Sequence, residues 1–158
     1  RGQGRGVNVR PAREEDVALA MERVFALCRK LECITGRHIL IAQAEQASCL
    51  AQRTDDGFSH CHAMSGAGIH VDALGRIYAC SSFVGDERFL LGDVVHGIDA
   101  RRQGELAREM QRTMAFCRTC TDFLRCGGAC YARMAGEHAI CTAECALKRA
   151  AIKEATSK

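Results

Sequence analysis

Cys117, Cys120, Cys126 and Cys130 stand as C-x2-C-x5-C-x3-C, with Gly127 and Gly128 inside the last interval. Intervals this short let a turn aim several sulfurs at one centre, and glycine lets backbone approach inorganic sulfide closely. Upstream, Cys61 and Cys80 are spaced C-x13-G-x4-C around Gly75, and Cys141 and Cys145 lie downstream. Thiolates gathered in this way bind iron in iron–sulfur clusters, or zinc in tetrahedral sites that could use the same residues. The cysteines number eleven in all, an odd count for a disulfide scaffold. The polar run from Arg1 to Gly6 also lacks the apolar stretch of an export signal, so a reducing, cytoplasmic setting is expected.

Composition narrows the partners. Lys and Arg total 22 against 19 Asp and Glu, an excess too small and dispersed for a nucleic-acid footprint. Trp is absent and aromatic residues make up 5%, which leaves few platforms for stacking bases. No apolar run is long enough to span a membrane. A hydrophobic share of 47% is globular, and 158 residues suit one modest domain with a helical lead-in. Because the chain begins at Arg1, it reads as a fragment or a processed product.

The elements that must carry these cysteines can be read from periodicity. Pro11 and the acidic run Glu14, Glu15, Asp16 suit a helix start, and Val17, Ala20, Met21, Val24, Leu27, Cys28 and Leu31 recur at helical spacing. A helix over about 13–31 is expected, broken at Gly36, with a second from His38 to about Gln52. After a turn at 54–57 the texture changes. Residues 68–72 and 76–79 alternate around Asp72-Ala73-Leu74-Gly75, which predicts a β-hairpin delivering Cys80 at its far end. Asp99 is a candidate cap for a helix carrying Leu106, Met110, Thr113 and Met114 on one face and ending before Cys117. Ala143, Ala146, Leu147 and Ala150 predict a terminal helix from Thr142. The fold class is α+β. Residues 1–55 read as a flexible lead and helical segment, and 56–158 as a small cysteine-rich domain built around two metal clusters.

The order C-x13-G-x4-C, gap, C-x2-C-x5-C-x3-C, gap, Cys resembles the seven-cysteine signature of SPASM domains, the C-terminal extensions of many radical S-adenosylmethionine peptide maturases. Six cysteines match in spacing, over roughly residues 57–158. Gly75–Cys80 with Phe83–Glu87 and Leu91–Val94, and Cys126-Gly127-Gly128-Ala129-Cys130-Tyr131-Ala132, are similar to maturases that build thioether cross-links, including the quinohemoprotein amine dehydrogenase maturation type.

The resemblance implies two auxiliary four-iron four-sulfur clusters. Cys61, Cys80 and Cys130 would bind the first; Cys117, Cys120, Cys126 and a downstream cysteine would bind the second. Cys145 is preferred to Cys141 for that last position, because Cys145-Ala146-Leu147-Lys148-Arg149 resembles the run around and after the final ligand in related maturases. A place in the first helical turn behind Thr142 would also favour thiolate. The first cluster then lacks a fourth protein ligand. Either Cys49 reaches in, or the iron is open to a substrate thiolate, since Asp55 and Asp56 occupy the stretch where some relatives supply a cysteine. The resemblance further implies a peptide substrate, an external electron donor or acceptor, and a radical S-adenosylmethionine barrel in cis or on a separate chain. Residues 11–55 would be the tail of that barrel. S-adenosylmethionine and a third four-iron cluster would belong to the barrel, because this sequence contains no C-x3-C-x2-C triad. The segment is therefore not expected to be active alone.

Two readings stand beside this one: a stand-alone iron–sulfur module for electron transfer or peptide binding, and a zinc-stabilised interaction domain. Cys28, Cys33 and Cys49 read as small apolar core residues, and Cys141 as a spare thiol. His60, His62 and His70 read as surface histidines, Asp86 and Glu87 as a solvated turn, and Arg101 with Arg102 as an exposed helix face that could dock an acidic leader peptide.

Overall fold

The computed structural model describes residues 12–52, 57–134 and 141–157. The readings placed on Pro11, Asp55 and Asp56, on the lead 1–10 and on residue 54 lie outside the described residues.

Helix α1 runs Glu14–Thr35, one turn beyond the expected end. Its acidic first turn faces the positive end of the helix dipole, and it stops at Gly36, whose N–H bonds Glu32 O at 2.8 Å. Of its apolar residues only Phe25 is buried; Val24, Leu27 and Leu31 of the expected stripe are exposed. Helix α2, Ala42–Ala51, starts four residues later than expected. The Glu32 carboxylate explains the delay, because Oε1 accepts the Ile39 N–H at 2.7 Å and pairs with His38 Nδ1 at 2.7 Å. Those contacts tie residues 38 and 39 back to α1, and the extended Ile41 is the N-cap of α2.

A short helix α3, His62–Ser65, precedes the sheet. Strands β1 (His70–Val71) and β2 (Arg76–Tyr78) form the expected antiparallel hairpin. Asp72 closes its turn by accepting the N–H groups of Leu74 at 2.9 Å and Arg76 at 3.0 Å. Two strands that periodicity did not predict, β3 (Leu90–Asp93) and β4 (Gly97–Ile98), extend it into a four-stranded meander in the order β1-β2-β3-β4. Their sequence hides them. Gly92 and Asp93 are poor strand formers, and the β2–β3 pairing slips register between Ile77 and Tyr78.

Helix α4, Ala100–Thr113, is capped as expected by Asp99, which accepts the Arg102 N–H at 2.9 Å, and it buries Leu106, Ala107 and Met110. A 3-10 turn at Ala115–Thr119, then α5 (Phe123–Cys126) and α6 (Tyr131–Met134), carry the cysteine-rich stretch, and α7 runs Thr142–Thr156. The fold is mixed helix and antiparallel sheet, in keeping with α+β.

Two apolar clusters organise it. The larger joins the sheet to α4 and the cysteine-rich stretch through Met64, Tyr78, Leu91, Met110, Met114, Phe58 and Phe123. The smaller joins Phe25 of α1, Ala44 and Ala47 of α2, and Ala151 and Ile152 of α7. The expected boundary near residue 55 falls between the clusters in sequence, yet α7 completes the smaller one, and Arg29 pairs with Glu154 across it. Among the described residues no helix is long and apolar enough to cross a membrane.

Candidate metal centre

Cys117, Cys120, Cys126 and Cys145 lie on elements that pack together: the 3-10 turn at Ala115–Thr119 and its end, α5, and the start of α7. Met114 is fully buried, and its carbonyl accepts the Cys117 N–H at 2.9 Å; Cys117 O accepts from Cys120 N–H and Cys120 O from Phe123 N–H, both at 3.1 Å. These successive tight turns bring Cys117 and Cys120 to the start of α5. Phe123 anchors that helix edge-on to Phe58, with ring centroids 5.1 Å apart, and Cys126 is its last residue. Cys145 enters from the first turn of α7.

The four thiols are electrostatically coupled. Burial pushes the Cys117 thiol up, and the charge of Cys120 adds to it. Burial likewise raises Cys126, with Cys117 and Cys120 contributing, and raises Cys145, with Cys126 and Cys117 contributing. Positive charge opposes this: Lys148 lowers Cys117 and Cys126, and Arg149 lowers Cys145 while hydrogen-bonding Cys120. A main-chain hydrogen bond from Ala129 to Cys117 also favours thiolate, whereas the Cys126 thiol donates to Gly128 O at 3.6 Å.

The second group is looser. Cys61 is the N-cap of α3, Cys130 directly precedes α6, and Cys80 lies just after β2 as the hairpin predicts. Burial raises the Cys130 thiol, the Ala132 and Arg133 backbone lowers it, and the charge of Cys61 raises it, so this pair is coupled. Cys80 packs with Cys61 against the larger apolar cluster. Their segments touch: a Cβ on Gly68 would lie 2.1 Å from Ala79 O and 3.2 Å from Ala63 N.

The glycine pair has a packing role. A Cβ on Gly127 (φ +69) would sit 2.6 Å from Ser59 Oγ and 2.8 Å from His60 N, and one on Gly128 (φ +89) would sit 2.6 Å from Phe58 Cδ1. The missing side chains make room for the strand of chain leading into Cys61, whose His60 N–H bonds Gly127 O at 3.1 Å. The glycines therefore lock the two cysteine-bearing segments together. Gly127→Val is expected to destabilise the protein by about 2–4 kcal/mol through left-handed strain and overpacking. Chemical denaturation measures it, and an unchanged midpoint would contradict the packing.

Other cysteines are placed differently from the expectation. Cys33 and Cys49 are exposed, not core residues; Cys28 is half-buried. Cys141, half-buried, is the N-cap of α7. His62 and Glu87 are exposed, and His60 is half-buried. Its Nδ1 lies 3.1 Å from Gln46 Nε2, and burial, helped by Lys148, pushes its pKa down to about 4, so it is neutral at pH 7. Asp86 caps the turn at Glu87–Phe89, and Arg101 pairs with Glu105 on the helix exterior.

One site residue escaped the sequence reading. Glu144 is 5% exposed, and its Oε1 accepts the Cys130 N–H at 3.1 Å and lies 3.2 Å from Lys148 Nζ. Its Oε2 has no hydrogen bond and has Arg133 Nη1 at 3.4 Å. The available signal was an acid one residue before Cys145 and four before Lys148, inside the apolar stripe of α7.

Among the described residues, no three His, Cys, Asp or Glu side chains are gathered as the ligands of a single metal ion. A tetrahedral zinc site, with Zn–S of about 2.3 Å, needs its sulfurs within roughly 3.8 Å of one another. A four-iron cluster places each thiolate on its own iron, so its ligands stand further apart. The donor chemistry of Cys117, Cys120, Cys126 and Cys145 fits such a cluster: four thiols, three of them partly or fully buried, with amide and cationic groups beside them. The chain matches no known family model, curated protein or solved structure in comparison.

Proposed function

We propose that this chain is the auxiliary-cluster domain of a radical S-adenosylmethionine enzyme that modifies a ribosomally made peptide, with thioether formation as the reaction. The observation that carries the reading is the convergence of Cys117, Cys120, Cys126 and Cys145 beside a separate coupled pair, Cys61 and Cys130. In this reading, ligands interleaved in sequence divide into two groups.

Cys117, Cys120, Cys126 and Cys145 would hold one four-iron cluster, and Cys61, Cys80 and Cys130 the other. When bound, such clusters exchange single electrons and offer a Lewis-acidic iron to a thiolate. The protein's own contribution is to hold the thiols in place and balance their charge. Lys148 and Arg149 offset the thiolates, and burial of Cys117 and Cys126 keeps water from that side. Cys120 is exposed and marks the accessible edge of its group. S-adenosylmethionine, a third four-iron cluster and the electron donor belong to a barrel outside this segment, in the cytoplasm.

Cys49 is exposed on α2, which favours a first group of three cysteines open to a substrate thiolate. A cysteine-containing peptide is expected to change the paramagnetic resonance spectrum of the reconstituted protein, and equally that of Cys49→Ala. If the wild-type spectrum ignores the peptide and only Cys49→Ala responds, Cys49 is the fourth ligand.

A further inference from the structure

Glu144 stands between the two cysteine groups and is a ligand of neither. Its Oε1 accepts the backbone N–H of Cys130, which belongs with Cys61. On its other side the carboxylate pairs with Lys148, one helical turn on, whose Nζ donates to Gly128 O, the carbonyl that also accepts from Cys126 Sγ at 3.6 Å, and Glu144 directly precedes Cys145 on α7. Arg133 Nη1 at 3.4 Å and His60 Nε2 at 3.8 Å also face the carboxylate. The Glu144 and Lys148 side chains are almost wholly buried, at 4% and 11% exposure. Burial of a charged pair is costly, and stability alone is weak ground for keeping one.

We propose that Glu144 is a positioning residue whose carboxylate, held by Lys148, is shared by both cluster sites and sets their reduction potentials together. The inference rests on the iron–sulfur reading above. Reduction adds negative charge to a cluster, so a nearby carboxylate opposes it and a nearby ammonium favours it, more strongly where water is excluded. A carboxylate bonded to one group and linked through Lys148 to the other therefore moves both potentials in the same direction. Lys148 faces the Cys117 and Cys126 side, so its effect is larger there.

The test is a redox titration of the reconstituted protein followed by paramagnetic resonance, on wild type, Glu144→Gln, Lys148→Met and the double variant. Glu144→Gln keeps the shape and an acceptor for the Cys130 N–H while removing the charge. It is expected to raise both midpoint potentials at full iron content. Lys148→Met is expected to lower them, the centre at Cys117 and Cys126 more, and the double variant to return toward wild type. Should Lys148→Met assemble poorly because Glu144 is left unpaired, the double variant, which removes the pair together, carries the comparison. A Glu144→Gln protein with full iron in which only one potential, or neither, moves overturns the inference and leaves the cluster reading standing. A wild-type protein that takes up zinc and no iron overturns both.

Discussion

Cys145→Ala is expected to cost the protein about four of its irons and four of its sulfides, while Cys141→Ala keeps nearly all of them. The two cysteines are one helical turn apart, and Cys141 O accepts the Cys145 N–H at 3.1 Å, so sequence position alone separates them poorly. Their charged surroundings differ. Cys145 is coupled to Cys126 and Cys117 and has Arg149 beside it, whereas Cys141 serves α7 as its N-cap. Cys145 also lies in the first turn of a 15-residue helix, whose positive end favours thiolate. Iron and sulfide counts on the two anaerobically reconstituted variants measure the difference. The reverse order of loss would show that Cys141 is the ligand.

Stripping the clusters is expected to lower the melting temperature by roughly 8–16 °C, the shift that corresponds to a loss of about 4 kcal/mol in a chain of this size. The stretch from Ala115 to Met134 is a 3-10 turn and two four-residue helices, far too short to be helical without tertiary support. It nevertheless supplies Cys117, Phe123, Ala129 and Met134 to the larger core. Ligand sites absent from the unfolded chain turn metal-binding free energy into folding free energy, and here the ligands sit on the elements least able to stand alone. The apoprotein should also bind a hydrophobic dye as Met114 and Phe123 become exposed. An apoprotein that melts as sharply as the holoprotein, at the same temperature, would contradict this.

Elements with strong local signals were legible in the sequence. Asp99, the acidic turn of α1 and the hairpin turn at Asp72 each act through their own side chain and neighbouring amides, so a short window holds the whole cause. Strands β3 and β4 were not legible, because Gly92 is tolerated only by virtue of pairing with β2 and β4. The late start of α2 depends on Glu32, seven residues before Ile39 and in another helix. The exposed side of α1 shows the limit of periodicity, which finds a helix but not the direction in which it packs. At the site, spacing drew attention to the cysteines, and packing gave the glycines their role beside Phe58, Ser59 and His60. Glu144 and Lys148 became visible only once α7 was laid against the Cys117–Cys130 stretch, since neither is unusual on a helix surface.

The central claim, that two groups of thiols hold two iron–sulfur clusters, is tested most directly by metal and sulfide analysis of the anaerobically reconstituted protein with its visible spectrum. About eight irons and eight sulfides per chain are expected, with broad charge-transfer absorption. Stoichiometric zinc without sulfide or visible absorption would contradict the claim.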